Sequence, residues 1–228
     1  MRISYKILPT SLLYFFIYIE SSFAARPFNT DDANIVGKNQ CQLETWIEAH
    51  KYQSSEIWAL PSCNFFWDIE ISLGGMMGLK TNSLQFQVKK LFVDTSKKGW
   101  GIGATIGNTY NYLDIKEHSN DIYFYIPATI ELLDARFIWH INVGYNIQSF
   151  RDSIWTLGIG MEVALMSNNM YIVGEVYYVR FDPVIYQIGL RTWLIKDILQ
   201  LDSTYGNNFY GKNHFVSLGF RILTEKLL

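Results

Sequence analysis

The chain has 228 residues and a formal net charge of −2, and only 18% of its residues are charged while 16% are aromatic. A soluble domain carries about 25% charged residues, so this composition favours a surface that partly faces lipid. The sequence has no excess of basic residues that would indicate a nucleic-acid partner. We expect neither nucleic acid nor a cofactor to bind.

The first 24 residues have the three parts of a secretory signal peptide. A basic start is followed by a largely apolar stretch over residues 7–19, and Ser22 and Ala24 then supply small residues before the cleavage point. The apolar stretch is too short to span a bilayer. We therefore predict that residues 1–24 are removed on export, with a buried N-terminal helix as the alternative.

From residue 40 onward, side chains alternate between two faces with a period of two. In residues 153–166, Trp155 and Leu157 share one face, while Thr156 and Glu162 share the other. Such alternation predicts β-strands. The runs approach or exceed the ~9–11 residues of a membrane-spanning strand, whereas ordinary strands centre on ~5–6 residues.

No later segment is apolar for long enough to predict a transmembrane helix. In lipid, backbone groups must pair internally, so an exported chain of this kind can span a membrane only as a closed barrel. We predict an all-β fold, a transmembrane antiparallel up-and-down β-barrel of about 12 strands in residues 40–228. Residues 25–39 would form a periplasmic lead-in segment. A soluble β-sandwich is the alternative.

The predicted strands are approximately 40–52, 55–62, 68–79, 82–93, 100–112, 121–133, 136–150, 153–166, 170–179, 183–194, 197–206 and 214–223. The strand at 55–62 is the weakest, since it is short and contains Pro61. An even strand number places both chain ends in the periplasm.

The polar strand face is predicted to line the lumen. The acidic side chains on this face are Glu44, Glu48, Asp68, Glu70, Glu131, Glu162, Glu175 and Asp202. The basic ones are Lys89, Arg191 and Arg221, and His140 shares the face. Charged rings set ion preference in pores, so this excess of acids predicts a channel for cations or neutral solutes. Alternatively, these groups pair with one another and fill the interior.

Histidines do not suggest a metal site or a catalytic one. The four histidines are scattered along the chain without the spacing of metal ligands. His140 and Asn142 share the polar face, as in barrel phospholipases, but no serine stands in a matching motif as the nucleophile. We therefore predict no catalytic residue and interpret the two side chains as a hydrogen-bonding pair in the lumen.

Cys41 and Cys63 are the two cysteines of the chain. The predicted register places both near the periplasmic end of neighbouring strands, and the periplasm is oxidising. A disulfide is one interpretation, and two small apolar residues facing lipid are the other. Asp31 and Asp32, just before the barrel, would lie in a solvated turn or tuck into the periplasmic mouth.

The start of the predicted mature chain resembles a known family. Residues 25–33 read Ala-Arg-Pro-Phe-Asn-Thr-Asp-Asp-Ala, then come Val36-Gly37 and Gln42-Leu43-Glu44, and residues 199–206 read Leu-Gln-Leu-Asp-Ser-Thr-Tyr-Gly. These stretches are similar to the opening and the penultimate strand of the phenol-degradation meta-pathway (MetA-like) outer-membrane proteins. The layout matches along the whole mature chain and the motifs match in these stretches. The resemblance implies an outer-membrane barrel that carries small organic compounds.

We therefore expect a bacterial outer-membrane protein for passive passage of small solutes, aromatic or apolar ones included. A non-conducting structural or surface barrel is the alternative, and an outer-membrane lipid-modifying enzyme is a third. The expected partners are outer-membrane lipid, the solute and, in transit, periplasmic chaperones and the barrel assembly machinery.

Overall fold

The computed structural model describes residues 28–51, 55–79, 81–112, 118–149, 152–165 and 169–224. The predicted signal peptide, residues 1–24, lies outside the described residues. Everything below concerns the described part of the chain.

The strands form one closed barrel in which each strand pairs with its neighbours in sequence and β1 closes against β12. The strands are β1 (Gln40–His50), β2 (Glu56–Phe66), β3 (Ile69–Gly78), β4 (Asn82–Val93), β5 (Trp100–Tyr112), β6 (His118–Leu132), β7 (Phe137–Ile147), β8 (Ile154–Ala164), β9 (Met170–Val179), β10 (Ile185–Ile195), β11 (Leu199–Asn208) and β12 (Phe215–Leu223). All ladders are antiparallel, and the prediction of a twelve-stranded barrel is confirmed.

The two faces of the wall differ in polarity. Outward side chains such as Ile106 and Leu190 are apolar and exposed, whereas inward ones such as Gln85, Thr105 and Ser217 are polar and buried. A soluble sandwich would bury its apolar face instead. A continuous apolar outer surface of this extent has to be covered by lipid.

Connections are shorter on average at the rim where β1 begins and β12 ends. That rim has tight turns between β2 and β3 and between β10 and β11, while longer connections such as 209–214 lie at the other rim. Since bacterial outer-membrane barrels have short periplasmic turns, the rim where β1 begins and β12 ends is the periplasmic one. The other rim is called the outer rim below.

The described residues contain one helix, the single turn α1 (Thr95–Lys98) between β4 and β5. The Asp94 carboxylate caps it by accepting from the Ser96 N–H, and Gly99 ends it in the left-handed conformation. Within this part of the chain, no helix is long and apolar enough to cross a membrane.

Strand β2 extends to Phe66, four residues beyond the predicted end. Pro61 lies inside it, opposite Leu43 of β1. On its other side, the ladder to β3 passes directly from the Ala59–Gly75 pair to the Ser62–Ser72 pair. Proline has no N–H to donate, so it interrupts one ladder locally while the strand continues.

The predicted strand start at residue 68 implied that Asp68 lines the lumen. The structure shows that it does not. Trp67 and Asp68 both have positive φ angles, 58° and 53°, and form the turn between β2 and β3. The Asp68 side chain is therefore exposed at the periplasmic rim. The alternation starts only at Ile69, which leaves Glu70 as the first inward acid of β3.

Cys41 and Cys63 lie opposite each other in the β1–β2 ladder and are joined by a disulfide. The bond closes a loop with a sequence separation of 22 residues beside the root of the lead-in segment.

Replacing both cysteines by serine is expected to lower the free energy of unfolding by about 3 kcal/mol, because a bond closing a loop of this size restricts the unfolded chain. Urea unfolding in detergent micelles, followed by tryptophan fluorescence, measures the change. Wild-type protein treated with a reductant is the control and should match the double variant. Two free thiols in non-reducing mass mapping would contradict the bond.

Candidate functional site: the barrel lumen

The lead-in segment lies inside the barrel and not in the periplasm. Its described part, residues 28–39, is called the lead-in segment below. Phe28, Thr30, Ala33 and Val36 are at most 1% exposed. Inward side chains of the wall surround them and bind the segment. The predicted placement of residues 25–39 outside the barrel is therefore corrected for residues 28–39, which fill the periplasmic half of the lumen.

Wall side chains bind the backbone N–H groups of the segment. Glu175 accepts from the N–H of Asn29 at 2.9 Å and from that of Thr30 at 2.8 Å. Glu70 accepts from the Val36 N–H at 2.8 Å. The segment has no regular structure to satisfy its own donors, so the wall supplies the acceptors that burial requires.

Charge pairing fixes the middle of the segment. The Lys89 ammonium lies 3.0 Å from Asp31 Oδ2 and 3.3 Å from Asp32 Oδ1. Tyr125 donates its hydroxyl to Asp31 at 2.7 Å. Of the two predicted placements for the aspartates, the structure shows the one in which they tuck into the barrel.

Phe28 anchors the far end of the segment. Its ring packs in a buried apolar cluster with Ile138, Tyr171 and Val173. The Arg191 guanidinium lies over the same ring, 5.8 Å from its centroid, within the range of a cation–π interaction.

Several of the charged side chains predicted to line the lumen form a buried network of ion pairs and hydrogen bonds beside Phe28. Arg191 donates from Nε to Asp202 at 2.7 Å and from Nη1 to Glu162. His140 Nε2 lies 3.0 Å from Glu162 Oε1, and His140 Nδ1 lies 3.0 Å from Thr129 Oγ1. These charges pair with each other in the wall and do not face an open pore.

The same network shows what His140 does in this structure. Thr129 Oγ1 accepts from the Ala33 N–H at 2.8 Å, so the hydroxyl beside His140 is occupied by the lead-in segment. Both side chains are 0% exposed. Asn142, with its amide oriented to satisfy its neighbours, bonds the backbone of Asp31. Here His140 and Asn142 hold the segment.

The remaining residues predicted to line the lumen differ in burial and in their position between the two rims. Glu44 and Arg221 are buried, and Arg221 Nε donates to Gln42 Oε1 at 2.7 Å. Glu131 is half-buried near the periplasmic rim, and Glu48 is half-buried near the outer rim, 3.0 Å from His50 Nε2. Among the described residues, no three His, Cys, Asp or Glu side chains are grouped so that they could hold a metal ion.

The two halves of the lumen differ in free space. Around Asp32, Glu70 and Lys89, the periplasmic half leaves a cavity of about 20 Å³, room for about one water molecule. In the outer half, inward side chains such as Tyr123 and Tyr177 are only half-buried. The lumen is therefore filled toward the periplasm and less tightly packed toward the outside.

Sequence reasoning missed the insertion because the segment has no periodicity to reveal its surroundings. One signal was present in the glycines of the polar face. A Cβ at Gly158 would lie 2.4 Å from Thr30 Oγ1, and Gly160 packs against the Phe28 ring. Small residues facing inward on one strand indicate that something else occupies the space.

A closed antiparallel barrel with an apolar outer face and a polar interior defines a transmembrane β-barrel of the bacterial outer-membrane class. The chain belongs to the family described as Uncharacterised conserved protein UCP029691, whose model matches residues 13–223. No curated protein matches the sequence. The predicted resemblance to the phenol-degradation meta-pathway family is tested by none of these matches and stays a prediction.

Solved outer-membrane barrels are similar in fold. The structure described as KdgM porin in complex with disordered oligogalacturonate has a TM-score of 0.66 and 10% identity over 79% of this chain and 98% of that chain. Omp33 of Acinetobacter baumannii has a TM-score of 0.56 and 6% identity, covering 81% of this chain and 98% of its own. The NanC porin has a TM-score of 0.54 and 11% identity, covering 82% and 100%. At these identities the likeness concerns the fold.

Proposed function

We propose that this barrel passes small solutes across the outer membrane and that the lead-in segment gates it. The observation that carries the proposal is the nature of the closure. The periplasmic half is filled mainly by residues 28–39. This segment lies inside the barrel but is not part of its wall, and hydrogen bonds and ion pairs bind it there. Such contacts can break and re-form without disturbing any ladder of the barrel.

The outer half of the lumen favours solutes with an apolar or aromatic part. Trp46 and Trp58 both face inward there and stack, with centroids 5.2 Å apart and planes at 2°. Met76 lies opposite Trp58 in the ladder between β2 and β3 and is buried, as Trp46 is, so the half-buried Trp58 is the more accessible ring of the stacked pair. Tyr123 and other inward tyrosines lie elsewhere on the wall. The resemblance to the phenol-degradation meta-pathway proteins supports the same class of solute.

The acidic lumen predicted from the sequence does not set the selectivity of this closed state. Glu70 and Glu175 bind the lead-in segment, and Glu162 and Asp202 bind Arg191. When the segment leaves, Glu70 and Glu175 lose the backbone N–H groups of the segment and face the open lumen. Lys89 loses Asp31 and Asp32 at the same time, so two acids face the open lumen together with one base. We therefore propose a cation preference for the open channel.

Single-channel recording in planar bilayers tests the gate. The mature protein is expected to be silent for most of the record, whereas a variant that lacks residues 25–36 should give frequent discrete steps with a preference for cations. The reason is that the deletion removes the material that fills the periplasmic half and leaves β1 and its disulfide intact.

Heat-modifiable gel mobility is the control for folding of both proteins. A folded variant without residues 25–36 that passes no current would contradict the proposal and would favour the non-conducting structural barrel. Steady large steps from the intact protein would contradict the gate.

A further inference from the structure

A second cavity lies at the outer rim, away from the lead-in segment. It measures about 310 Å³ and is bordered by the outer ends of β9, β10 and β11 and by the two loops that connect β9 to β10 and β11 to β12. This volume is at the lower end of the range for small-molecule sites, about 300–1,000 Å³. We call this cavity the outer vestibule.

The wall of the outer vestibule is apolar on one side and polar on the other. Tyr177 and Val179 of β9 and Ile185 of β10 line it from the strands, and Pro183 lines it from the first loop. An aromatic ring beside aliphatic groups provides a surface for the apolar part of a ligand.

Two opposite charges border the same cavity from different loops. Asp182 belongs to the loop between β9 and β10, and Lys212 belongs to the loop between β11 and β12. Across the described residues, neither side chain forms a salt bridge, so the two do not neutralise each other directly. A ligand carrying both charges could bind each of them.

Both loops are ordered by hydrogen bonds of their own. Asn208 Oδ1 accepts from the Lys212 N–H at 3.0 Å, and Asn207 Oδ1 accepts from the Asn213 N–H at 3.0 Å. In the other loop, the Asp182 N–H donates to the Val179 carbonyl at 3.0 Å. These bonds order the backbone from which the two charged side chains project, so the loops need not be ordered when a ligand binds, which lowers the entropy cost of binding.

We propose that the outer vestibule binds a small zwitterionic solute with an apolar side group, its ammonium toward Asp182 and its carboxylate toward Lys212. This inference names the solute class and rests on the proposed function. The side chains of Asn208 and Asn213 also border the cavity, beside the polar end of such a ligand. The apolar group lies against Tyr177 and Ile185.

Isothermal titration calorimetry of the mature protein in a nonionic detergent tests this, with L-phenylalanine as the probe. Glycine carries the charges without the ring, and benzyl alcohol carries the ring without the charges, so both should bind more weakly. Asp182→Asn and Lys212→Gln should each weaken phenylalanine binding about tenfold, the effect of losing one hydrogen bond to a charged group.

Asp152→Asn, at an exposed acid near the start of β8 at the same rim, is the matched control and should leave the affinity unchanged. Equal binding of benzyl alcohol, no binding of phenylalanine, or an affinity insensitive to both charge variants would overturn the zwitterion site. Calorimetry needs no current. If phenylalanine binds but the variant lacking residues 25–36 passes no current, the zwitterion site is supported and the channel function is contradicted. If that variant passes current but phenylalanine does not bind, only the zwitterion site is contradicted.

Discussion

Replacing Arg191 with methionine is expected to lower the free energy of unfolding by about 3–5 kcal/mol, the usual cost of breaking a buried ion pair on one side. Arg191 is 1% exposed and binds the carboxylates of Glu162 and Asp202. Without it, two acids remain close together in the wall with no guanidinium between them. Urea unfolding of the folded barrel in detergent micelles, read from tryptophan fluorescence, measures the loss.

Arg180→Met is the matched control, because Arg180 is exposed and contacts the ring of Phe181 near the outer rim. It should change stability by less than about 1 kcal/mol. Adding Glu162→Gln and Asp202→Asn to Arg191→Met should recover part of the loss, since the orphaned charges are then removed. Equal stability of the Arg191 and Arg180 variants would contradict the role of the network.

Glu175→Ala is expected to shift the gate toward its open state by about 3 kcal/mol, or roughly a hundredfold in open population. The carboxylate accepts the backbone N–H groups of Asn29 and Thr30, and Gln187 donates to it as well. After the change, the buried N–H groups of the segment have lost their acceptor. Single-channel recording under the conditions used for the deletion variant measures the open fraction.

The deletion variant supplies the control for that experiment. In protein that lacks residues 25–36, Glu175→Ala has no segment to release, so the open fraction should not rise further. A rise of similar size in both backgrounds would mean that Glu175 acts on the wall itself. An unchanged open fraction in the full-length variant would mean that other contacts, for example those of Lys89, keep the lead-in segment bound.

The strands could be predicted from the sequence because a wall with lipid on one side and a polar lumen on the other imposes a period of two on every strand. Runs such as β4 and β5 were therefore found with their observed ends, 82–93 and 100–112. Errors occurred where a local rule is ambiguous. The prediction for β2 ended at residue 62, just after Pro61, and Asp68 was included in β3 because alternation does not record a positive φ.

The inward direction of the charged side chains followed from the same alternation, but their partners did not. The alternation left open whether Glu70 and Glu175 face a pore or pair with other side chains. It did not indicate that they accept backbone N–H groups of a segment far from them in sequence. Nothing in the local pattern of residues 28–39 specifies a binding partner, since backbone groups are common to every residue. The pairing of Asp31 and Asp32 with Lys89 likewise depends on the closed barrel, which brings distant residues together.

The closure of β1 against β12 also constrains the order in which the protein can assemble. Contacts across this seam, such as that between Gln42 and Arg221, join residues 179 positions apart, and contacts of such range form slowly. Until β12 pairs, β1 is an open edge that could template aggregation, and the lead-in segment attached to it has no enclosed lumen. The lead-in segment, which precedes all twelve strands in the chain, therefore reaches its final place only after the seam between β1 and β12 has closed.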